Sequence, residues 1–230
     1  FSIVKHTGTG STGTVGTGLS SPAELIIRKN LDASSTGGDW YVYAPASPYF
    51  GYLASSDAFA SNNNAAYSYN QTVPTGSIFN VGNTYSGNIN NDNYIAYCFT
   101  SKTGFSKVGS YTGNGSSSGP IVQTGFEPAF LMIKTTGADG WFMVDNKRET
   151  SNPRGNRLFA NSSVAEASEP GAQVNFYANG FQLTGSGGGQ GQTNSNGQTY
   201  IYLAFAADGS TASPSLANSF ATKTYTGNGY

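Results

Sequence analysis

The side chains that could do chemistry in this chain are few. His6 is the only histidine and Cys98 the only cysteine, so the sequence predicts neither a histidine-based catalytic triad nor a zinc site. The candidates for a glycosidase, which needs two carboxylates facing one sugar, are Glu149, Glu166 and Glu169. All three lie in predicted loops, and the first half of the chain has no glutamates at matching places. We interpret them as surface charge and predict that the protein is not an enzyme.

Two stretches have the composition of ligand-binding loops but lack essential residues. Residues 88–93 are rich in side-chain oxygen, as calcium sites are, yet they supply a single carboxylate, Asp92, and a tight calcium site needs several. Residues 185–191 are glycine-rich like a phosphate-binding loop, but no Gly-Lys-Ser/Thr sequence and no helix follow. Both stretches predict turns, and no metal or cofactor is expected.

Aromatic and amide side chains are the better candidates for binding. The candidate contacts to a cell-surface glycan are Trp40, Trp141, Asn62, Asn63 and Asn64. An exposed tryptophan can stack on a sugar ring, whereas a buried one fills the core, and both interpretations stay open. The asparagine run lies in a long polar loop, residues 55–75, whose tip could touch a glycan together with that of residues 145–155.

The elements that must position these residues repeat along the chain. Related segments open it, recur in its middle and close it: FSIVKHTGTG at 1–10, FSKVGSYTGNG at 105–115 and FATKTYTGNG at 220–229. Other matched pairs lie between them, such as PAELIIRK with PAFLMIK and YIAYCF with YIYLAF. Self-similarity of this kind indicates tandem copies of one module.

The repeat sets the predicted domain boundaries. We predict two modules, residues 1–104 and 105–208, and then residues 209–230, which comprise a linker and the first strand of a third module. Because the chain opens directly on a strand-like segment and stops within a third copy, we expect an excerpt of a longer polypeptide. Residues 220–230 could lend a strand to a neighbouring chain, since sheet edges accept added strands.

The composition predicts an all-β protein. Glycine accounts for 31 of the 230 residues and aromatic residues for 13%. Glycine and asparagine are typical of turns, whereas Tyr, Phe, Val, Ile and Thr are typical of strands. Apolar residues do not recur at helical spacing, and short apolar runs alternate with turn signals. Each module is therefore predicted to be an antiparallel β-sandwich of the jelly-roll or concanavalin-like type.

The charge balance narrows the choice of partners. Charged residues make up only 10% of the chain and the net charge is -1. Nucleic acid is excluded as a partner because backbone binding needs clustered Lys and Arg. No apolar stretch is long enough to predict membrane insertion. The many uncharged Ser, Thr, Asn and Gly residues favour an extracellular or virion setting.

The second copy carries a family resemblance. FSKVGSYTGNGSSSGPIVQTGFEPAFLMIKTTGADGWFMVD, followed by RLFANSSVAEA, NGFQLTG and TYIYLAFA, resembles a repeat module of tailed-bacteriophage virion proteins. Such modules often accompany laminin-G or concanavalin-like domains. The resemblance covers both copies but is weaker in the first, which departs at residues 55–75 and 82–93.

The resemblance implies a place at the virion surface, in a tail fibre, an appendage or a capsid decoration, and supplies no catalytic residues. We therefore expect a non-enzymatic structural protein that serves assembly and host-surface attachment. Its expected partners are other virion or fibre subunits, in a homo-oligomer, and a cell-surface glycan. The alternative is a glycan-binding adhesin module of an extracellular fibre, and the remote alternative is a polysaccharide depolymerase.

Overall fold

The described part of the chain consists of antiparallel strands. The computed structural model describes residues 1–32, 38–59, 69–70, 72–83, 87–185 and 192–206. The strands of the first half are β1 (Ser2–Thr7), β2 (Gly13–Gly16), β3 (Leu25–Asn30), β4 (Trp40–Ala44), β5 (Ser47–Tyr52), β6 (Ile78–Val81) and β7 (Asn93–Phe99). Those of the second half are β8 (Ser106–Thr112), β9 (Ser118–Gln123), β10 (Pro128–Thr135), β11 (Phe142–Asp145), β12 (Asn156–Phe159), β13 (Ala167–Ser168), β14 (Gln173–Tyr177), β15 (Gly180–Thr184) and β16 (Thr199–Ala206). The predicted all-β class is confirmed. The described residues form no helix that is long and apolar enough to cross a bilayer.

Local sequence signals account for several of these elements. The Asn-Gly pair at 179 and 180 predicts a hairpin, and the structure pairs Tyr177 with Gly180 across that turn. On β7, buried residues alternate with more exposed ones from Asn93 to Phe99, as expected for a strand whose two faces differ. The continuous apolar run of β3, by contrast, predicts burial on both faces.

Each half of the chain forms one large and one small sheet. The first large sheet has the order β1-β7-β3-β4-β5, and the second has the order β13-β12-β11-β10-β16-β8. The first small sheet is β2-β6 and the second is β14-β15-β9. Read from β1 and from β8, both large sheets contain the first, last, third, fourth and fifth strands of their half, in that order, and the second sheet adds β13 at its edge. The division into repeat modules at 104 and 208 stays a prediction.

The four sheets are stacked, and three apolar cores lie between them. On β3, Ile26 belongs to the first core, against the first small sheet, while Leu25 belongs to the central core, against the second large sheet. On β16, Tyr202 belongs to the second core, against the second small sheet, while Ile201 belongs to the central core. Because successive side chains of a strand point to opposite faces, the inner strands of both large sheets are buried on both sides.

The central core joins the two halves. Trp141 lies in it with 1% of its surface exposed, and its indole N–H donates a hydrogen bond to the Tyr52 carbonyl of the first half at 2.8 Å. The ring of Phe59 packs on that of Trp141 with 6.2 Å between centroids. The backbone N–H of Phe59 donates to the carbonyl of Thr136 at 2.9 Å. Sheets thus pack face to face between the two halves as well as within each half.

A group of phenylalanines gathers at one corner of the stack. The ring of Phe1 stacks on Phe99 at 5.6 Å, Phe99 meets Phe205 edge-on at 6.3 Å, and Phe105 meets Phe205 at 6.1 Å. The backbone N–H of Ala206 donates to the carbonyl of Phe105 at 2.8 Å. We call this group the aromatic corner. It brings together three places in the chain: the start of the first half at Phe1, the segment that joins the two halves at Phe105, and the end of β16 at Phe205.

The central core predicts different roles for the two tryptophans. Trp141→Ala should lower the free energy of unfolding by about 3–5 kcal/mol, because a fully buried indole leaves a cavity. Trp40→Ala, at the half-buried margin of the same core, is the matched control and should cost clearly less. Urea denaturation followed by circular dichroism measures both, and equal losses would contradict the assignment of Trp141 to the core.

Candidate functional site

In each half, the repeated Thr-Gly-x-Gly segment is hydrogen-bonded to the loop that precedes β7 or β16, the last strand of that half in the sequence. In the first half, the backbone N–H of Gly8 donates to the Asp92 carbonyl at 2.7 Å. The buried Asn88 side chain accepts the backbone N–H of Thr9 at 3.2 Å and donates to the Thr9 hydroxyl at 2.8 Å. It also donates to the carbonyl of Ser11 at 2.6 Å. Both polar atoms of the buried Asn88 amide are therefore hydrogen-bonded to the Gly-x-Gly segment and the residue that follows it.

The second half contains the same arrangement. The buried Asn194 side chain accepts the backbone N–H of Asn114 at 2.9 Å and donates to the Asn114 side-chain oxygen at 3.1 Å. It also donates to the Ser116 carbonyl at 2.8 Å. The backbone N–H of Gly113 donates to the Gln198 carbonyl at 2.9 Å. We call each Gly-x-Gly segment with its buried asparagine a clasp.

Only glycine fits the first position of each clasp. A Cβ on Gly8 would lie 1.9 Å from the carbonyl oxygen of Ile89, and a Cβ on Gly113 would lie 2.3 Å from that of Ser195. The second glycine of each clasp has a left-handed backbone, with φ of 72° in the first and 67° in the second, which favours glycine. Close packing and backbone conformation therefore explain the motif, and its role is structural.

The oxygen-rich stretch 88–93 is part of the first clasp. Asn88 holds the clasp, and the Asp92 carboxylate accepts a hydrogen bond from the Asn30 side chain at 2.7 Å. Asn91 has the left-handed φ of 66° that suits a turn. Among the described residues, no group of three or more His, Cys, Asp or Glu side chains could hold a metal ion. The structure places the side-chain oxygens of Asn88 and Asp92 against protein donors, in the turn that the sequence predicts.

Each glutamate considered for catalysis binds its own protein partner. The Glu149 carboxylate accepts hydrogen bonds from two nearby backbone N–H groups, at 2.6 and 2.9 Å. Glu166 pairs with Arg148, and Glu169 pairs with Arg157 at 2.8 Å. The hydrogen bond from Arg157 lowers the pKa of Glu169, whereas a general acid at neutral pH needs a raised pKa. Each carboxylate therefore stabilises the local structure around it.

The structure describes two of the predicted glycan contacts, Trp40 and Trp141. Trp141 lies inside the central core. Of the two interpretations that the sequence left open, it therefore fills the core and is not available to stack on a sugar. Trp40 is half-buried, and the ammonium of Lys29 lies over its ring at 5.3 Å. The asparagine run at 62–64 lies outside the described residues.

His6 lies in a cleft that the sequence did not reveal. The cleft, of about 440 Å³, lies between β1 and the first small sheet. The imidazole stacks on Tyr94 at 4.9 Å and meets Phe79 edge-on at 6.2 Å. Burial first, and then the charge of Arg28, lower its pKa to about 4. A general base works best with a pKa close to the working pH, so His6 is poorly suited to that role at neutral pH.

These features define an all-β protein of stacked antiparallel sheets whose repeated motif is an internal clasp. The chain belongs to the family described as a domain of unknown function (DUF7483), whose model matches residues 1–209. All four sheets and both clasps lie within the match. No match was found among the curated proteins or among the solved structures.

The clasps predict a specific loss of stability. Asn88→Ala and Asn194→Ala should each lower the free energy of unfolding by about 2–3 kcal/mol, because backbone groups that bond the amide lose their partner. The exposed Asn90→Ala and Asn196→Ala, two residues further on in each loop, are the matched controls and should have little effect. Chemical denaturation measures the difference, and hydrogen exchange of the Thr9 and Asn114 amides locates it. Similar losses in all four variants would contradict the clasp.

The lowered pKa of His6 predicts that the stability of the protein depends on pH. The pKa of the imidazole is about 4 in the folded protein against 6.5 ordinarily. Between these values the unfolded chain binds a proton that the folded protein does not. The free energy of unfolding should therefore decrease as the pH falls from 6.5 to about 4, by roughly 1–2 kcal/mol once solvent screening of the partly exposed ring is included.

His6→Phe keeps an aromatic ring against Tyr94 and removes the titration. Urea denaturation of both proteins at several pH values from 7 to about 4 isolates the histidine, since all carboxylates are common to both. An identical pH dependence in the two proteins would contradict the predicted shift.

Proposed function

We propose that the chain is a non-enzymatic structural module of a bacteriophage virion surface, in a tail fibre, an appendage or a capsid decoration. The observation that carries the proposal is the use of the repeated motif. In both halves, Thr-Gly-x-Gly forms an internal clasp around a buried asparagine, Asn88 or Asn194. A motif that recurs because it fixes the backbone conformation favours a structural module. The proposed place of that module, at the virion surface, comes from the resemblance to virion repeat modules.

The arrangement of charge supports the same proposal. Glu149, Glu166 and Glu169 are each engaged with a donor of the protein, a backbone N–H group or an arginine. The central core fixes one half on the other through Trp141 and Phe59. These interactions favour a rigid unit in which side chains serve packing and loop order.

Assembly into a homo-oligomer is proposed to use the open edges of the large sheets. Within the described residues, β1 and β8 each have a hydrogen-bonded neighbour on one side only. Edge strands offer unpaired N–H and C=O groups to another chain. Ile3, on β1, is 53% exposed, so this edge also offers an apolar side chain. The strand predicted at 220–230 lies outside the described residues, and its donation to a neighbour stays a prediction.

The assembly proposal predicts an oligomer that an edge variant weakens. Light scattering and negative-stain electron microscopy of residues 1–230 should give a multimer of defined symmetry. Ile3→Lys should shift it toward the monomer, because a lysine on an edge strand opposes pairing. Val73→Lys is the control, since Val73 is 56% exposed and lies outside the strands.

A monomer at all concentrations up to the micromolar range would contradict the assembly proposal, and so would equal effects of the two variants. The enzyme alternative has its own test. Incubation with neutral and acidic polysaccharides should release no new reducing ends. Release that Glu149→Gln, Glu166→Gln or Glu169→Gln abolishes would replace the structural proposal by a depolymerase.

A further inference from the structure

We propose that the outward face of the second small sheet binds a neutral polysaccharide. We call it the amide face and define it by six residues of β9, β14, β15 and the turn between the last two: Ile121, Gln123, Asn175, Tyr177, Asn179 and Gln182. This site is separate from the sheet edges proposed for assembly, and it does not depend on oligomer formation.

The strand pattern presents these side chains to solvent. Phe176, Phe181 and Val122 point into the second core, so the residues between them on the same strands point outward. The register places Gln182 opposite Asn175 on one side and opposite Ile121 on the other. One row of outward side chains therefore crosses all three strands.

Hydrogen bonds hold the polar members of the face in fixed positions. The Asn175 amide donates to the Tyr177 hydroxyl at 3.0 Å, and that hydroxyl donates to the Gln182 side-chain oxygen at 3.2 Å. The Gln182 amide donates in turn to the carbonyl of Gly119 at 3.3 Å. In the next row, Asn179 donates to the side-chain oxygen of Gln123 at 2.6 Å.

These bonds prepare the face for a hydroxyl-rich ligand. Each amide side chain carries two donors and an acceptor with two lone pairs, so positions remain for bonds to sugar hydroxyls. Side chains that are already ordered lose little entropy when a ligand binds. The amides of the face can thus both donate to and accept from the same sugar.

Tyr177 and Ile121 supply the apolar contacts that a sugar ring needs. Tyr177 is 43% exposed and Ile121 is 60% exposed. The Tyr177 hydroxyl reaches Gln182 on the neighbouring strand, and Gly180, which is opposite Tyr177 in the register, has no side chain. The ring therefore lies along the sheet. Its π-face is negative and attracts the C–H groups of a sugar.

The absence of charge selects a neutral glycan over other ligands. β9, β14 and β15 contain no Asp, Glu, Lys or Arg, so an acidic polysaccharide or a nucleic acid would find no counter-charge on these strands. The centre of a protein interface is mainly apolar, whereas this face consists mostly of amides. A neutral glycan fits this combination better than a protein partner does.

The first half provides an internal comparison. Its small sheet has only two strands, and the pair Thr14 and Asn80 occupies its outward row. Within the described residues that row has neither an exposed aromatic ring nor a hydrogen-bonded line of amides. The amide face is therefore a property of the second half and not of the fold that both halves share.

The test is affinity electrophoresis of the full chain in gels containing dextran, mannan, galactan or xylan, with alginate as the acidic comparison. A glycan array extends the panel. We expect retardation by at least one neutral polysaccharide. Tyr177→Ala should weaken that binding at least tenfold, and Tyr177→Phe, which keeps the ring and breaks the line of hydrogen bonds, should weaken it less.

Two controls show that any loss belongs to the face. Thr14→Ala alters the first small sheet, and Val164→Ala removes an exposed apolar side chain in a loop; neither should change the retardation. Circular dichroism confirms that each variant is folded. If Tyr177→Ala does not fold, side-chain amide NMR signals of the wild type give the answer. The signals of Asn175, Gln182 and Gln123 should shift when the retarding polysaccharide is added.

Several results would overturn the proposal. These are a lack of binding to every neutral glycan, binding to alginate alone, and binding that Tyr177→Ala leaves unchanged with no shift of the three amide signals. Protection of the face by a captured protein, without any glycan binding, would replace the glycan by a protein partner. None of these results bears on the oligomer, so the assembly proposal is tested separately.

Discussion

Packing of the two large sheets against each other is the interaction on which the rest of the structure depends. β3 and β16 carry apolar side chains on both faces, and such a sheet must be covered on both sides. Each small sheet covers one face of its large sheet, and the other half of the chain covers the second. The halves therefore complete one another, and the family match over residues 1–209 includes both.

The clasps act at a different place, in the loops before the last strand of each large sheet. They use a buried amide in each half, Asn88 or Asn194, to satisfy backbone groups that tight loops leave without partners. The energetic gain depends on complete pairing, because a buried polar group without a partner is costly. This explains why glycines and asparagines, which are usually flexible surface residues, form an ordered part of this molecule.

The sequence was sufficient for the fold class and for the places of many strands. Turn residues alternate with β-branched and aromatic runs, and this local pattern does not depend on distant contacts. The pattern could not identify the central core. Leu25 and Ile26 form one apolar run, yet they face different layers, and only the packing of the sheets decides which layers these are.

The candidate sites show the same limit. Trp40 and Trp141 have similar neighbours in sequence, but Phe59, from a distant loop, covers only the second. The asparagines of the clasps bond to segments 79 and 80 residues away. Alternation predicts that Tyr177 and Gln182 point outward, but the position of Gln182 beside Ile121 requires the register between two strands that are distant in the sequence.

The aromatic corner has a mechanical consequence. Phe1 and Ala206 are connected there through Phe99, Phe105 and Phe205, so the described chain leaves the stack close to where it began. A pull between those two ends would load this small cluster of rings first, and it would reach the sheets as soon as the rings separate. Because β1 is an edge strand whose one hydrogen-bonded neighbour among the described strands is β7, we expect β1 to separate first and the inner strands to follow.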